Sequence, residues 1–279
     1  MAADRLRIVP LASLGDPTGL EPLVRRVFGH GDRAPGWFSR KLRRERVDPR
    51  LSPIAIGPDG DPDDPSARVG YVLVGTPLSR GDAVRTAGTG VLPSARGRGV
   101  GGRLVDAAAW MAQAAGFRRM ELVAARAVLP FYAQQGFAVV HHTVTALAFA
   151  RGTRPPPGRC RPWRMPLRHE HAPVTWMPET WDGTEPAARA GLRWSTEDGP
   201  VDAWLSREGV AWLVQHLVAP AGVGLPRLAS TLLEHLPAGA PVMLPLLPAA
   251  DSALAELLEG EWSVVQRGAL MERSLGTTS

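Results

Sequence analysis

Only one cysteine, Cys160, and only one lysine, Lys41, occur in the 279 residues. A lone thiol excludes an internal disulfide and a cysteine-based metal site, and no metal is expected. No stretch of about eighteen consecutive apolar residues is present, which excludes a helical membrane span and a membrane partner of that kind. The opening Met1-Ala2-Ala3-Asp4-Arg5 lacks the charged-then-apolar form of a signal peptide, so a cytoplasmic location is the expectation. With one lysine, the net charge of +5 rests on arginine. Such a charge attracts polyanions, but no basic run interleaved with aromatics resembles a nucleic-acid module, so an anionic cofactor is favoured over nucleic acid. The 44% of hydrophobic residues is ample for a sizeable core, and the length suggests two domains.

What is present centres on Val91-Leu92-Pro93-Ser94-Ala95-Arg96-Gly97-Arg98-Gly99-Val100-Gly101-Gly102. Apolar residues precede it as in a strand, and Val100, Leu104, Ala107, Ala108, Met111 and Ala115 follow at helical spacing. The glycines therefore sit where a strand turns into a helix. The first N–H groups of a helix have no internal partner and carry the positive end of its dipole. Glycines let an anion approach that backbone, and Arg96, Arg98 and Arg103 add full charge around it. The local reading is a phosphate or pyrophosphate cradle. Gly97, Gly99 and Gly102 also fit the dinucleotide pattern G-x-G-x-x-G, with Glu121 near the spacing of a ribose-binding acid. Against that, Pro93 to Arg96 separate the strand from the first glycine, and Glu121 reads as the inside of a strand. The phosphate-loop pattern fails because no lysine follows. A plain flexible turn is the third alternative.

Read as Arg96-x-x-Gly99-x-Gly101 after Val91-x-Pro93, the segment resembles the acetyl-CoA loop of the GNAT superfamily of N-acetyltransferases. Downstream, Gly116-Phe117 closes the helix and Arg119 to Ala124 reads as the next strand. Then Phe131-Tyr132-Ala133-Gln134-Gln135-Gly136-Phe137 resembles that superfamily's F-Y-x-x-x-G-F segment. Two signatures in order are far more specific than either alone. The match departs at Ala125, where many members carry asparagine.

The resemblance implies a mixed α/β fold, a mostly antiparallel central sheet flanked by helices, over residues 1–151. It implies acetyl-CoA as donor, bound by Gly90, Val91, Arg96, Gly97, Arg98, Gly99, Val100, Gly101, Gly102 and Arg103, with a backbone N–H near Gly90 or Val91 facing the thioester oxygen. Tyr132 would donate the proton to the departing thiolate. A phenol, with an ordinary pKa near 10, is protonated at neutral pH and suited to donating. For the general base, no acid lies in Arg85 to Pro93, and Glu121, His30, Asp32, His141 or a water chain remain open. The expected partner is a small-molecule primary amine, with a peptide or protein N-terminus as alternative acceptor. A non-catalytic acyl-CoA sensor and a plain dinucleotide enzyme are the rival classes. The assembly is expected to be a monomer or homodimer.

Along the rest of the chain, Arg5 to Ala12 reads as an edge strand, and Leu20, Leu23, Val24, Val27 and Phe28 as a helical stripe. Arg40 to Arg46 reads as a basic, solvated helix face; by resemblance the region would instead wall the acceptor site. Leu51 to Ile56, Val69 to Val74 and Val84 to Leu92 read as strands. Residues 152–166, dense in proline and arginine, read as a linker. Residues 167–279 hold Trp176, Trp181, Trp194, Trp204 and Trp212, expected to fill core and interface. The order strand (Val210 to Val218), helix (Leu228, Leu232, Leu236), strand (Pro241 to Leu247), short helix (Ala253 to Leu258) echoes the order after Val84. This suggests a second, smaller α/β domain of similar but shortened topology, without a counterpart of Tyr132.

Overall fold

In the computed structural model, residues 6–29, 35–58, 60–76, 81–155, 158–159, 184–220, 222–250 and 252–276 are described. The chain forms two units, one from Met1–Ala124, Val128–Val139 and Met271–Ser279, the other from Ala125–Ala127 and Val140–Leu270. The division read from sequence, at 151, differs because strand Ala138–Phe149 pairs with strand Pro241–Pro248 rather than with its chain predecessors. His30 and Asp32, together with Cys160, Trp163, Trp176 and Trp181, lie outside the described residues.

The first unit runs β1 (Arg7–Pro10), α1 (Glu21–Phe28), α2 (Trp37–Arg44), β2 (Pro53–Ile56), β3 (Arg68–Gly75), β4 (Ala83–Val91), α3 (Val100–Ala114), β5 (Arg119–Ala125) and α4 (Leu129–Gln134). Its strands lie in the order β1-β2-β3-β4-β5, antiparallel except for the β4–β5 pair. Pro10 sits on the edge strand, where its missing N–H interrupts no ladder. Helix α1 starts with Glu21 and Pro22 and stops at Gly29, whose φ of +60° is a left-handed cap. Glu21 accepts from Arg25 one turn later, and from the Trp37 indole at the start of α2.

The two faces of this sheet can be told apart at neighbouring residues of β3. A Cβ at Gly70 would stand 2.9 Å from Leu104 of α3, so that face meets α3. Tyr71, next along the strand, points the other way, toward α1. Helix α3 buries Val100, Leu104, Val105, Ala108 and Ala112 on β2, β3 and β4. The stripe of α1 buries Leu23 and Val24, while Phe28, expected on it, is half exposed at the helix end.

The second unit contains β6 (Ala138–Phe149), β7 (Gly158–Arg159), β8 (Arg189–Thr196), β9 (Gly199–Glu208), β10 (Ala211–Val218), α5 (Leu225–His235), β11 (Pro241–Pro248), α6 (Ser252–Glu259) and β12 (Ser263–Ser274). The ends of β6 and β12 belong to the first unit. Here β8, β9 and β10 form an antiparallel run, and β10 pairs in parallel with β11 after the crossover through α5. This repeats the β4-α3-β5 arrangement. The long β8–β9 hairpin has no counterpart in the sequence reading. Leu228, Leu232 and Leu233 of α5 pack with Val214, Leu217, Val242 and Leu244 in the core.

Leu104 is fully buried at the centre of the first unit. Leu104→Ala is expected to lower unfolding free energy by about 2–5 kcal/mol, read as a drop in Tm and denaturant midpoint at unchanged m-value.

Candidate active site

Strands β4 and β5 pair only over Ala83↔Arg119, Val84↔Met120 and Arg85↔Glu121. Strand β4 continues to Val91 against β3, with a register irregularity between Leu73 and Val74 that lies opposite Thr86 to Gly88. Past Arg85 the parallel ladder is therefore open, and the edge of β4 from Thr86 to Val91 is freed from its β5 neighbour. The last paired rung is fastened by a buried ion pair, Arg85 Nη2 to Glu121 Oε2 at 3.3 Å, with Arg119 3.9 Å from the other carboxylate oxygen. Glu121 is 1% exposed. Its carboxylate is engaged with guanidinium groups at the root of the opening, which makes it a fastening group rather than an available base.

At the far end of β4 comes the glycine stretch. Leu92 and a single 3-10 turn, Pro93–Ala95, lead to a turn through Gly97 and Gly99, with φ of +73° and +74°. Both conformations are ones that only glycine adopts without strain. A Cβ at either residue would meet nothing within 4 Å, so it is backbone shape and open space, not crowding, that these glycines provide. Gly99 is the N-cap of α3 and no side chain caps the helix. The first turn of α3 is thus left with uncapped N–H groups and the positive end of a fifteen-residue helix.

The arginines around this turn differ in role. Arg96 folds back, its Nε donating to the Val91 carbonyl at 3.1 Å, while Arg98 is exposed beside Gly97 and Gly99. Arg103 donates from Nη2 to the Leu6 carbonyl at 3.1 Å, tying the approach to β1 to the first turn of α3. Gly101 and Gly102 make contact of another kind. A Cβ on Gly101 would come 3.2 Å from Phe131 Cζ, and one on Gly102 3.0 Å from Gln135 Oε1. Helix α4 packs onto the start of α3 through these two positions.

That packing sets Tyr132. It is 8% exposed and sits edge-on between Phe131 and Phe137, with ring centroids 4.9 and 5.8 Å away. Burial is the larger influence on its phenol and raises the pKa above the ordinary value near 10, while the neighbouring Thr89 hydroxyl of β4 works the other way. Thr89 Oγ1 is buried at the open edge of β4 and completes no hydrogen bond of normal geometry among the described residues. Two hydroxyls, those of Tyr132 and Thr89, thus lie beside each other. Gly90, buried beside them, has no room for a Cβ: Tyr71 Cε1 would be 2.7 Å away.

One unit thus holds an opening between parallel strands, an uncapped helix start and a buried phenol beside Thr89. These features agree with the sequence comparison, in which the family model described as Acetyltransferase (GNAT) domain matches residues 63–139. This segment is similar to a GNAT acetyltransferase domain. The GNAT match runs from the loop before β3 through the start of β6, so it includes the opening, the glycine turn and Tyr132. No curated relative matches the chain. Among solved structures, a candidate acetyltransferase of Pyrococcus horikoshii superposes with a TM-score of 0.66 at 14% identity, over 97% of this chain and 90% of that one. A GCN5-related N-acetyltransferase of Sphaerobacter thermophilus gives 0.62 at 16%, over 98% and 96%. A tandem GNAT protein from the clavulanic acid biosynthesis pathway gives 0.56 at 15%, over 98% and 100%. At such identities the likeness is one of fold, and it runs over nearly the whole chain.

Of the residues read from sequence, the structure gathers Gly90, Val91, the 96–103 stretch and Tyr132 into the first unit. His141 is exposed on β6 in the second unit. The sequence reading passed over Tyr71, Thr89 and Gly88. A signal was present in Gly88-Thr89-Gly90, because two glycines at alternate positions clear one face of a strand for a large residue from its neighbour.

Replacing Glu121 by leucine leaves Arg85 buried without its carboxylate. Glu121→Leu is expected to cost about 3–5 kcal/mol, and Arg85→Met with Glu121→Leu to recover most of it, as measured by urea unfolding of the three variants.

Proposed function

We propose that the protein is an acetyl-CoA-dependent N-acetyltransferase that transfers the acetyl group to a primary amine of a small molecule by direct attack. The observation that carries this reading is the parting of β4 from β5 after Arg85↔Glu121, immediately ahead of an uncapped glycine helix start. When bound, acetyl-CoA supplies an activated acetyl thioester. The chain's own residues do the rest. The N–H groups of Gly99 to Gly102, with Arg96 and Arg98, hold the diphosphate. The open edge of β4 around Gly90 and Val91 offers backbone N–H to the carbonyl oxygen as it gains charge. Tyr132 Oη carries the proton for the departing sulfur.

The tyrosine's environment suits that task. Its burial keeps the phenol protonated at neutral pH, so an O–H is present to donate to the departing sulfur. On the acceptor side, α2 contributes Lys41 and Arg44, paired with Glu45 at 3.1 and 3.2 Å. Burial pushes the Glu45 carboxyl up, but the two cations outweigh it and the net pKa is lowered. Glu45 is thus a poor proton acceptor at neutral pH.

Calorimetry should detect acetyl-CoA and not NAD, and an amine panel should release CoA thiol; binding without thiol release would mean an acyl-CoA sensor. Gly99→Val forces a β-branched residue into a left-handed turn and is expected to weaken acetyl-CoA binding at least about tenfold, with a loss of about 1–2 kcal/mol in stability. Tyr132→Phe is expected to lower kcat about 10²-fold with the acetyl-CoA Kd unchanged. Because folding raises the phenol's pKa, the wild-type rate should hold up to pH 10 and fall only above it. The matching stability contribution is complete below pH 10 and is lost as pH rises past it, since the unfolded phenol ionises first.

A further inference from the structure

Strand register places Tyr71 of β3 opposite Gly90 of β4. A Cβ on Gly90 would stand 2.7 Å from Tyr71 Cε1 and 3.0 Å from Cζ, and one on Gly88 would stand 4.0 Å from Cε2. It is the far end of the ring, not its root, that lies over β4. The ring crosses from β3 above two residues without side chains, and Cζ carries the hydroxyl over the strand whose other edge has left β5. On the same face are Val27 of α1, 2.9 Å from the Gly90 Cβ position, and Lys41 of α2, whose Cε is 4.0 Å from that of Gly88. Tyr71 is 1% exposed. Burial first, and then the Tyr132 phenol, raise its pKa.

An attacking amine has one lone pair, which must face the carbonyl carbon, and N–H bonds that point elsewhere. An oxygen that accepts one of those N–H groups without taking its proton would fix the angle of attack. A neutral phenol has that property, since its oxygen accepts a hydrogen bond but is far too weak a base to take the proton. We propose that the Tyr71 hydroxyl is the acceptor-side group of the transfer site, taking a hydrogen bond from the amine N–H while Tyr132 serves the sulfur on the donor side. This rests on the acetyl-transfer reading above. No proton passes to Tyr71, and no bond is made or broken there. The glycine at 90 then has a functional reason: a side chain there would lift the ring away from the opening.

The competing role for Tyr71 is to cover bare glycines, as aromatics do in sheets. Tyr71→Phe separates the two, because the ring stays and only the hydroxyl goes. The chain has two tyrosines, 71 and 132. Labelling with tyrosine carrying 13C at Cζ therefore gives two NMR signals, assigned by Tyr71→Phe and Tyr132→Phe. Adding acetyl-CoA is expected to move both signals; a Tyr132 signal that moves while the Tyr71 signal stays would overturn the proposal. In turnover with any amine found active, Tyr71→Phe is expected to raise the amine KM about tenfold, with Tm and the acetyl-CoA Kd unchanged. An unchanged amine KM would overturn it as well. If wild-type protein binds no acetyl-CoA in calorimetry, the transfer reading falls and takes the proposal with it. If it binds while Tyr71 proves indifferent, only the proposal falls.

Discussion

The first unit depends on where one parallel ladder stops. A β-sheet normally satisfies both edges of an internal strand, and an unpaired backbone group away from water is costly. Strand β4 keeps its ladder with β3 to the end but gives up β5 after a single fastened rung, Arg85 to Glu121. The ion pair matters because of its position. It joins the two strands at their last paired rung, where the opening begins. Everything assigned to the site lies downstream of that rung: Thr89 and Gly90 on the free edge, the glycine turn at its end, and Tyr132 across from it.

The glycines of this region serve two separate physical ends. Gly97 and Gly99 are used for their left-handed conformations, with space around them. Gly90 and Gly101 are used for close approach, one beneath the Tyr71 ring and the other beneath Phe131. The first pair shapes the turn that leads into α3. The second pair lets aromatic rings lie against β4 and against the start of α3. A motif written only as a string of glycines merges these functions, although a substitution at each position would fail for a different reason.

Much of this was legible in the sequence because it is local. Strand, turn and helix around residues 83–115 follow from apolar periodicity and from glycines at the junction, and the segment around Tyr132 is marked by Pro130 before it and Gly136, with φ of +80°, after it. The second unit's β10-α5-β11 order was legible for the same reason. What escaped was register. Nothing in the order of residues says that Tyr71 falls opposite Gly90, or that Glu121 meets Arg85, because strand pairing is decided by the sheet as a whole. Glu121 therefore stood among candidate bases when it is a buried ion-pair partner. Strands β8 and β9 escaped because polar and tryptophan-bearing residues, such as Arg193, Trp194, Asp202 and Trp204, interrupt any simple alternation there.

The contact of Phe131 with the Cβ-less surface of Gly101 has an evolutionary corollary. Helix α4 and the first turn of α3 share that wall, so the volume of residue 101 and the volume of residue 131 are one quantity divided between two positions. A lineage that enlarges one must shrink the other or shift the phenol that follows it. Across homologous chains, these two sites should therefore drift as a matched pair, although some thirty positions of sequence separate them.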